Sequence, residues 1–351
     1  MTSYERVKAV FAGEVPDRPP LFDTITNDAV IERFSGRRAE GPDRESVVYA
    51  AYAAGAVDAT RTKIFIPLDE GEDVLPSGQK VYNKRWTSWL EHMRFSTVAE
   101  AAMRLREWVE IPIPSSIELA KDAAAWVAEY EQTSALIAPC VLIGNYMRKV
   151  GLMSLYVNFG WEMFSYLMSD VPGLVDAYLE RTTEESVRAI DALQAPPQMP
   201  AVIACMDIAG VNGPLVSPSY LNASFFPRLE RIADAWHRKG APFVFHSDGN
   251  LMPIIDDLAA CGIDGLHPID LAAGLDLREL RRRFPEMIFM GGVDVVHLLP
   301  HGTPDQVRTG TRELLEIAGP KILLGSSTEL GNDVPLENFL AMTEVAIGWR
   351  Y

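Results

Sequence analysis

The sequence predicts an α/β fold, a (β/α)8 TIM barrel with N-terminal helices and a hairpin-bearing insertion. Short apolar runs with no polar alternation recur along the chain, as strands buried on both faces of a parallel sheet require. They alternate with helical segments at the spacing of βα units to the end of the chain, and about eight can be placed, the number that closes such a barrel. No Pro/Gly/Ser-rich linker divides the 351 residues, and barrels with insertions reach this size, so residues 1–351 read as one barrel domain. A doubly wound sheet is the alternative. It leads one to expect a Gly-rich dinucleotide turn after the first strand, and Asp23-Thr24-Ile25-Thr26 is nothing like one.

Taken in order, residues 4–12 have helical spacing, and Gly13 with Pro16-Asp17-Arg18-Pro19-Pro20 stops that helix before Leu21-Phe22, a first strand ending at Asp23. A helix from about Asn27 to Phe34 follows. Residues 45–55 read as an Ala/Tyr-rich helix leading to Val57-Asp58, and Thr62-Lys63-Ile64-Phe65-Ile66 as strand. From roughly 69 to 95, β-formers mix with turn residues such as Pro76-Ser77-Gly78, which predicts a hairpin-bearing insertion over one rim, either a lid or a surface embellishment. Residues 97–108 and 117–131 read as helices, and 135–144 as a buried strand interrupted by Pro139. A long helical region, 146–193, is broken near Gly160 and at Pro172. Five more strands are expected within 199–207, 241–248, 263–268, 287–294 and 321–327.

A hydrophobic share of 48% suits a soluble protein with a large core. The net charge of −16 repels phosphate backbones and anionic membrane surfaces, which argues against nucleic acid and membranes as partners. No apolar run approaches the roughly 20 residues of a membrane span. Cys140, Cys205 and Cys261 lie far apart, within or beside apolar runs, and read as free thiols in a reducing compartment. Met1-Thr2-Ser3-Tyr4-Glu5-Arg6 lacks the order of a signal peptide, so a cytoplasmic location is expected.

Chemistry is expected where Phe243-Val244-Phe245 ends in His246-Ser247-Asp248-Gly249-Asn250. In α/β barrels the carboxyl ends of the strands form the active rim, and His246 and Asp248, two apart, can face one ligand with Asn250 beside them. An ordinary βα turn, with Asp248 bonding its own loop, is the alternative. Asp207, Asp270 and Asp294 also fall at strand ends; binding is expected of Asp207 and helix capping of Asp294. His267 either lines the same rim or is a structural histidine. His297 and His301 show no ligand spacing. Tyr146, Tyr156 and Trp161 either stack on an aromatic substrate or belong to the core. Arg18, Arg61, Lys63, Arg148 and Lys149 offer positive charge without clustering.

Asp207-Ile208-Ala209-Gly210, Gly213-Pro214-Leu215-Val216-Ser217-Pro218, Phe226-Pro227, the His246 strand end, Gly291-Gly292-Val293-Asp294 and Leu324-Gly325-Ser326-Ser327 together resemble the uroporphyrinogen decarboxylase superfamily. The resemblance spans nearly the whole chain, is strongest from about residue 200, and implies the (β/α)8 fold. It also implies one of two chemistries: tetrapyrrole decarboxylation, or methyl transfer among small methylated compounds, thiols and corrinoid proteins. The decarboxylase branch carries Met-Arg-Gln-Ala-Gly-Arg near its first strand to bind a polycarboxylate. Here that region reads Leu21-Phe22-Asp23-Thr24-Ile25-Thr26-Asn27-Asp28, with two acids and no arginine, and a buried polyanion without cations is costly. The thiol methyltransferase branch binds zinc through His-x-Cys and a later Cys, and those positions look like His246, Asp248 and Ser326. Exchanging two thiolates for a carboxylate and a hydroxyl disfavours thiol alkylation and leaves a harder, oxygen-rich site.

The expectation from this resemblance is a methyltransferase that demethylates a small methylated donor, such as a methyl ether, and passes the methyl group to a corrinoid carried by a separate partner protein. His246, Asp248 and Asp207 are the expected catalytic residues, with Asp23, Asp58, Arg61, Tyr156, His267 and Asn250 binding substrate. His246 would protonate the leaving oxygen, or hold a metal such as zinc with Asp248 and either Glu329 or Asp207. Two alternatives stand beside it: a lyase acting on a small acid or tetrapyrrole, in which Asp23, Asp58 or Asp207 protonates a carbanion, and a degenerate barrel that binds a small ligand without turnover. Homodimerisation is an expectation of the resemblance alone.

Overall fold

Eight parallel segments follow one another around a closed ring. The computed structural model describes residues 1–62, 64–146 and 150–351. Residues 21–22 form the first stave, bridging Ala59 on one side and Leu324 on the other. Ala59–Arg61 pairs with Val141–Ile143, and Gly144 bridges to Val202 at the start of Val202–Cys205. The fourth strand pairs with the fifth, Phe243–His246, then come Gly265–His267, Ile288–Val293 and Ile322–Ser326. The eighth returns to the first, and no sheet edge remains at that seam. Glycine is required there: a Cβ on Gly325 would overlap the Phe22 carbonyl oxygen. Gly291, at φ 84°, needs both its left-handed backbone and its bare Cα, because a Cβ would meet the Ser326 carbonyl oxygen at 2.6 Å.

The barrel interior is filled by Phe22, Ala59, Ile143, Ile203, Val244, Met290 and Leu323, one from each of seven staves, so it is a packed core and not a channel. Its amino-terminal end is stoppered by helix Ser3–Phe11, whose Val7 and Val10 join that cluster. Thr2 and Glu5 close a capping box on this helix, and Gly13 and the prolines beyond it end it as the sequence implies. Asp58 lies at this end, not at the mouth where it was expected to bind substrate. It accepts hydrogen bonds from Ser3 Oγ (2.7 Å), Arg18 Nη1 (2.6 Å) and the Leu21 amide (2.9 Å), with Arg6 at 3.4 Å. Asp58 precedes its strand, and the residue before a barrel strand faces the stability end of the fold.

Two strand expectations shift. The second stave is Ala59–Arg61, with residue 62 already in a bend and 64–69 without regular structure; Lys63 lies outside the described residues. Ile64 and Ile66 of this apolar stretch pack as loop against the core instead of extending the strand. Helix Ser116–Ile137, started by a Ser115/Glu118 capping box, takes the first part of the segment expected as strand, and only Val141–Ile143 is extended. The switch falls at Ala138, driven to ψ 136° by the following Pro139, which disfavours helix in the residue before it. The long helical region divides as read, into Leu152–Phe159, Trp161–Asp170 and Pro172–Ala192, with Gly160 at φ 74° and Pro172 opening the third.

The insertion is a three-stranded antiparallel meander, Gly71–Val74, Lys80–Lys84 and Thr87–Leu90. Arg85 anchors it by a two-pronged bond to Asp28 (2.7 and 2.6 Å) at the start of helix Asp28–Ser35, and the Met93 amide bonds the Asn158 carbonyl at 2.7 Å. It leaves from the carboxyl end of the second stave and rejoins beside loops of the first and third, on the same rim as the strand ends. Among the described residues no helix is long and apolar enough to cross a membrane.

Candidate active site at the barrel mouth

The buried strand Phe243–His246 delivers His246 to the carboxyl-end rim. Cys205 on the fourth strand and His267 on the sixth are its register partners, so the three side chains share one layer. The His246 and His267 rings stack at 4.8 Å and 25°, with Nδ1 to Nδ1 at 2.6 Å, a distance that holds one hydrogen. Both rings are buried, and burial holds both neutral: it pushes His246 down to about 3 and His267 well below the usual range, with the Arg61 charge adding to each.

Asp207 and Asp248 face the outer side of His246. The Asp248 amide donates to Asp207 Oδ1 at 3.2 Å, and His246 Nε2 lies 3.6 Å from the same oxygen. Asp248 Oδ1 is buried with no hydrogen-bond partner among the described residues. Burial raises the Asp248 carboxyl to about 6, helped by the negative charges of Asp207 and Glu329. One donor atom from each of Asp207, His246 and Asp248 lies within 4.8 Å of the others. A neutral imidazole and two carboxylates, one of them with an orphaned oxygen, form a donor set that fits a divalent cation such as zinc.

Glu329, expected as a third ligand, is instead paired with the Arg61 guanidinium, and Asp207 completes the group. Ser326, at the position of the second thiolate of the thiol branch, is committed to Asp23: its hydroxyl donates at 2.8 Å and its amide at 2.9 Å. Asp23 also accepts from the Thr24 amide at 2.9 Å, yet burial outweighs these bonds and raises its carboxyl to about 7, with Glu329 adding to the rise.

Arg61 reaches the mouth as expected. It is 5% exposed, donates to Cys205 Sγ at 3.1 Å, and leaves Nε without an acceptor among the described residues. Cys205 was missed as a rim residue. A signal for it existed: it stands two residues before Asp207, the spacing that places His246 and Asp248 on one side. Tyr156 donates to the Asp207 carbonyl at 2.8 Å and stacks on Trp161 at 4.3 Å.

Three expected binding residues stand back from the cluster. His267 is 1% exposed and lies behind His246, so it does not face the Asp207 and Asp248 carboxylates. Asn250 holds its own loop, accepting from the Met252 amide at 3.0 Å, because Gly-Asn after a strand end turns the chain. Asp58 is at the opposite end, as described. Asp270 and Asp294 cap their turns by accepting amide bonds, Asp294 from Val296 and His297. Tyr146 lines a cavity of about 570 Å³ with Trp126, Thr62 and Asn145. Arg148 and Lys149 lie outside the described residues.

The uroporphyrinogen decarboxylase (URO-D) family model matches residues 130–349, which is more than half of the chain and includes every rim residue from Cys205 to Glu329. Among solved structures, a methyltransferase from Methanosarcina mazei is similar over 99% of this chain and 98% of its own, with a TM-score of 0.69 and 18% identity. A B12-independent methionine synthase from Shewanella sp. W3-18-1, in complex with selenomethionine, aligns over 93% of this chain and 97% of its own at a TM-score of 0.46 and 11% identity. No curated protein matches in sequence. A closed ring of eight staves, a site at its carboxyl rim and a family match across six of those staves lead to one assignment: the chain belongs to the uroporphyrinogen decarboxylase family.

Proposed function

We propose that this chain is a methyltransferase that removes a methyl group from a small oxygen-linked donor, such as a methyl ether, and delivers it to a corrinoid carried by a separate protein. The observation that supports this most directly is the Asp207, His246 and Asp248 cluster, an oxygen-rich donor set standing where thiol-specific relatives are expected to hold thiolates. Thiolates tune a metal for binding and activating a thiol; carboxylates and one imidazole leave a harder centre suited to an oxygen ligand. A divalent ion held there would supply Lewis-acid polarisation of the leaving oxygen. Breaking the methyl–oxygen bond leaves the electron pair on oxygen, and the methyl group goes to the acceptor's nucleophilic cobalt. The chain's own part is to seat the donor near Tyr156, whose hydroxyl already meets the Asp207 backbone, direct its oxygen at the cluster, and keep a proton within reach. Asp23, raised to about 7, is a carboxyl that holds a proton close to neutral pH.

A second reading, a lyase acting on a small acid, is favoured by Arg61, whose Nε has no acceptor among the described residues, and by Asp23, a carboxyl able to protonate a carbanion. Offering methylated compounds with a Co(I) corrinoid protein and following methyl–cobalt absorbance separates the two, with carbon dioxide release from small acids as the parallel assay. Methyl–cobalt formation by the wild type that disappears in a folded His246→Ala variant is the expected result. Equal turnover by wild type and variant overturns the assignment.

A further inference from the structure

The two stacked histidines at the strand ends face different surroundings. His246 looks outward to Asp207 and Asp248, whereas His267 is enclosed, with its ring edge-to-face on Phe22 at 5.4 Å and its Nε2 without a partner among the described residues. We infer that His267 is the positioning residue of the cluster: its Nδ1 accepts the Nδ1 hydrogen of His246, which leaves His246 Nε2 as the only ring nitrogen able to bind a divalent cation between Asp207 and Asp248.

The geometry leaves little freedom. His246 Nδ1 is closed off by His267 Nδ1 at 2.6 Å, so no ligand enters on that side. His246 Nε2 is the nitrogen that faces Asp207 Oδ1. A nitrogen that binds a cation offers its lone pair, so the ring's hydrogen sits on Nδ1 and needs an acceptor. Adjacent parallel strands in register supply that acceptor, and burial of both rings locks it. In most metal sites the group behind a ligating histidine is a carboxylate or a carbonyl. An imidazole does the same work here without adding a third negative charge beside two carboxylates. Its cost is visible: with Nδ1 accepting, the remaining hydrogen of His267 sits on Nε2, the atom that has no acceptor among the described residues.

The inference rests on reading the cluster as a cation site, and the test keeps the two apart. Zinc affinity is measured by competition with a chromogenic chelator on the purified wild type, His267→Asn and His267→Phe proteins. Nitrogen NMR on the cadmium-loaded wild type reports which ring nitrogen of His246 couples to the metal. His267→Asn keeps an acceptor near the Nδ1 position and is expected to bind zinc within about threefold of wild type. His267→Phe removes the acceptor and is expected to bind about 10- to 100-fold more weakly. Metal coupling through His246 Nε2, with a hydrogen retained on Nδ1, supports the inference even if the phenylalanine variant does not fold. Coupling through Nδ1, or wild-type affinity in a folded His267→Phe protein, overturns the inference and leaves the cluster standing. Absence of zinc or cadmium binding by the wild type removes the cation site itself, and this inference with it.

Discussion

Both ends of this barrel bury carboxylates, and they treat them in opposite ways. At the amino-terminal end Asp58 is met by two arginines, a serine and a backbone amide, so its pairing outweighs its burial and holds its carboxyl below the usual range. At the mouth Asp23 and Asp248 have fewer partners or weaker ones, and burial wins, lifting them to about 7 and about 6. A satisfied ion cluster fastens a helix under the barrel; an under-satisfied one is ready to meet a ligand. The difference teaches that buried charge marks function only where the protein itself leaves it incompletely paired.

Four substitutions test this contrast. His246→Ala at the mouth should lower methyl transfer by about 10²- to 10⁴-fold, the range typical of a general acid or comparable polar catalytic group, in a protein that still folds cooperatively. Asp58→Ala at the opposite end should do the reverse, costing about 3 kcal/mol in urea unfolding because it strands two partly buried guanidiniums, while kcat/KM of the remaining folded protein is unaltered. Loss of activity without loss of stability in Asp58→Ala would erase the distinction between the ends.

The third concerns acid. Asp58 has a folded pKa below its unfolded value, so its stabilisation is present above about pH 4 and is lost as pH falls further. Asp23 has a folded pKa of about 7 against an ordinary 3.8, so its contribution is fully present below about pH 4 and is lost as pH rises to about 7. Unfolding curves of wild type and Asp23→Asn between pH 4 and 8 should therefore diverge, with the wild type losing stability relative to the variant across that window. Parallel curves would show that Asp23 ionises normally. The smallest effect is expected far from both ends: Lys84→Ala breaks the exposed pair with Glu70 on the meander and should leave the melting temperature and turnover as they are.

Much of this was legible in the sequence. Apolar runs ending in His246, Asp207 and Ser326 located the later staves, and Gly160 and Pro172 located the helix breaks, because local sterics decide these features. The second and third staves were displaced because the barrel needs only three residues of each. Which three is set by pairing with neighbours distant in sequence, and Ile64-Phe65-Ile66 is as β-prone as the strand before it. At the site, the two-residue spacing singled out His246 and Asp248. It did not separate His267 in front of His246 from His267 behind it, nor Glu329 as ligand from Glu329 as the partner of Arg61. Those are questions of orientation across strands, which no single stretch encodes. Asp58 misled because a carboxylate beside a strand looks the same at either end until the strand's exact start is known.

The bond between Ser326 and Asp23 limits how such a mouth can change its chemistry. Placing cysteine at 248 and 326 would rebuild a sulfur pair in name, yet a thiol at 326 is a poor hydrogen donor to the buried Asp23 carboxylate, and a thiolate there would set a second negative charge against it. Residue 23 would have to be neutralised in the same step. A cysteine pair at 248 and 326 thus calls for a third, coordinated replacement at residue 23, at the opposite end of the chain.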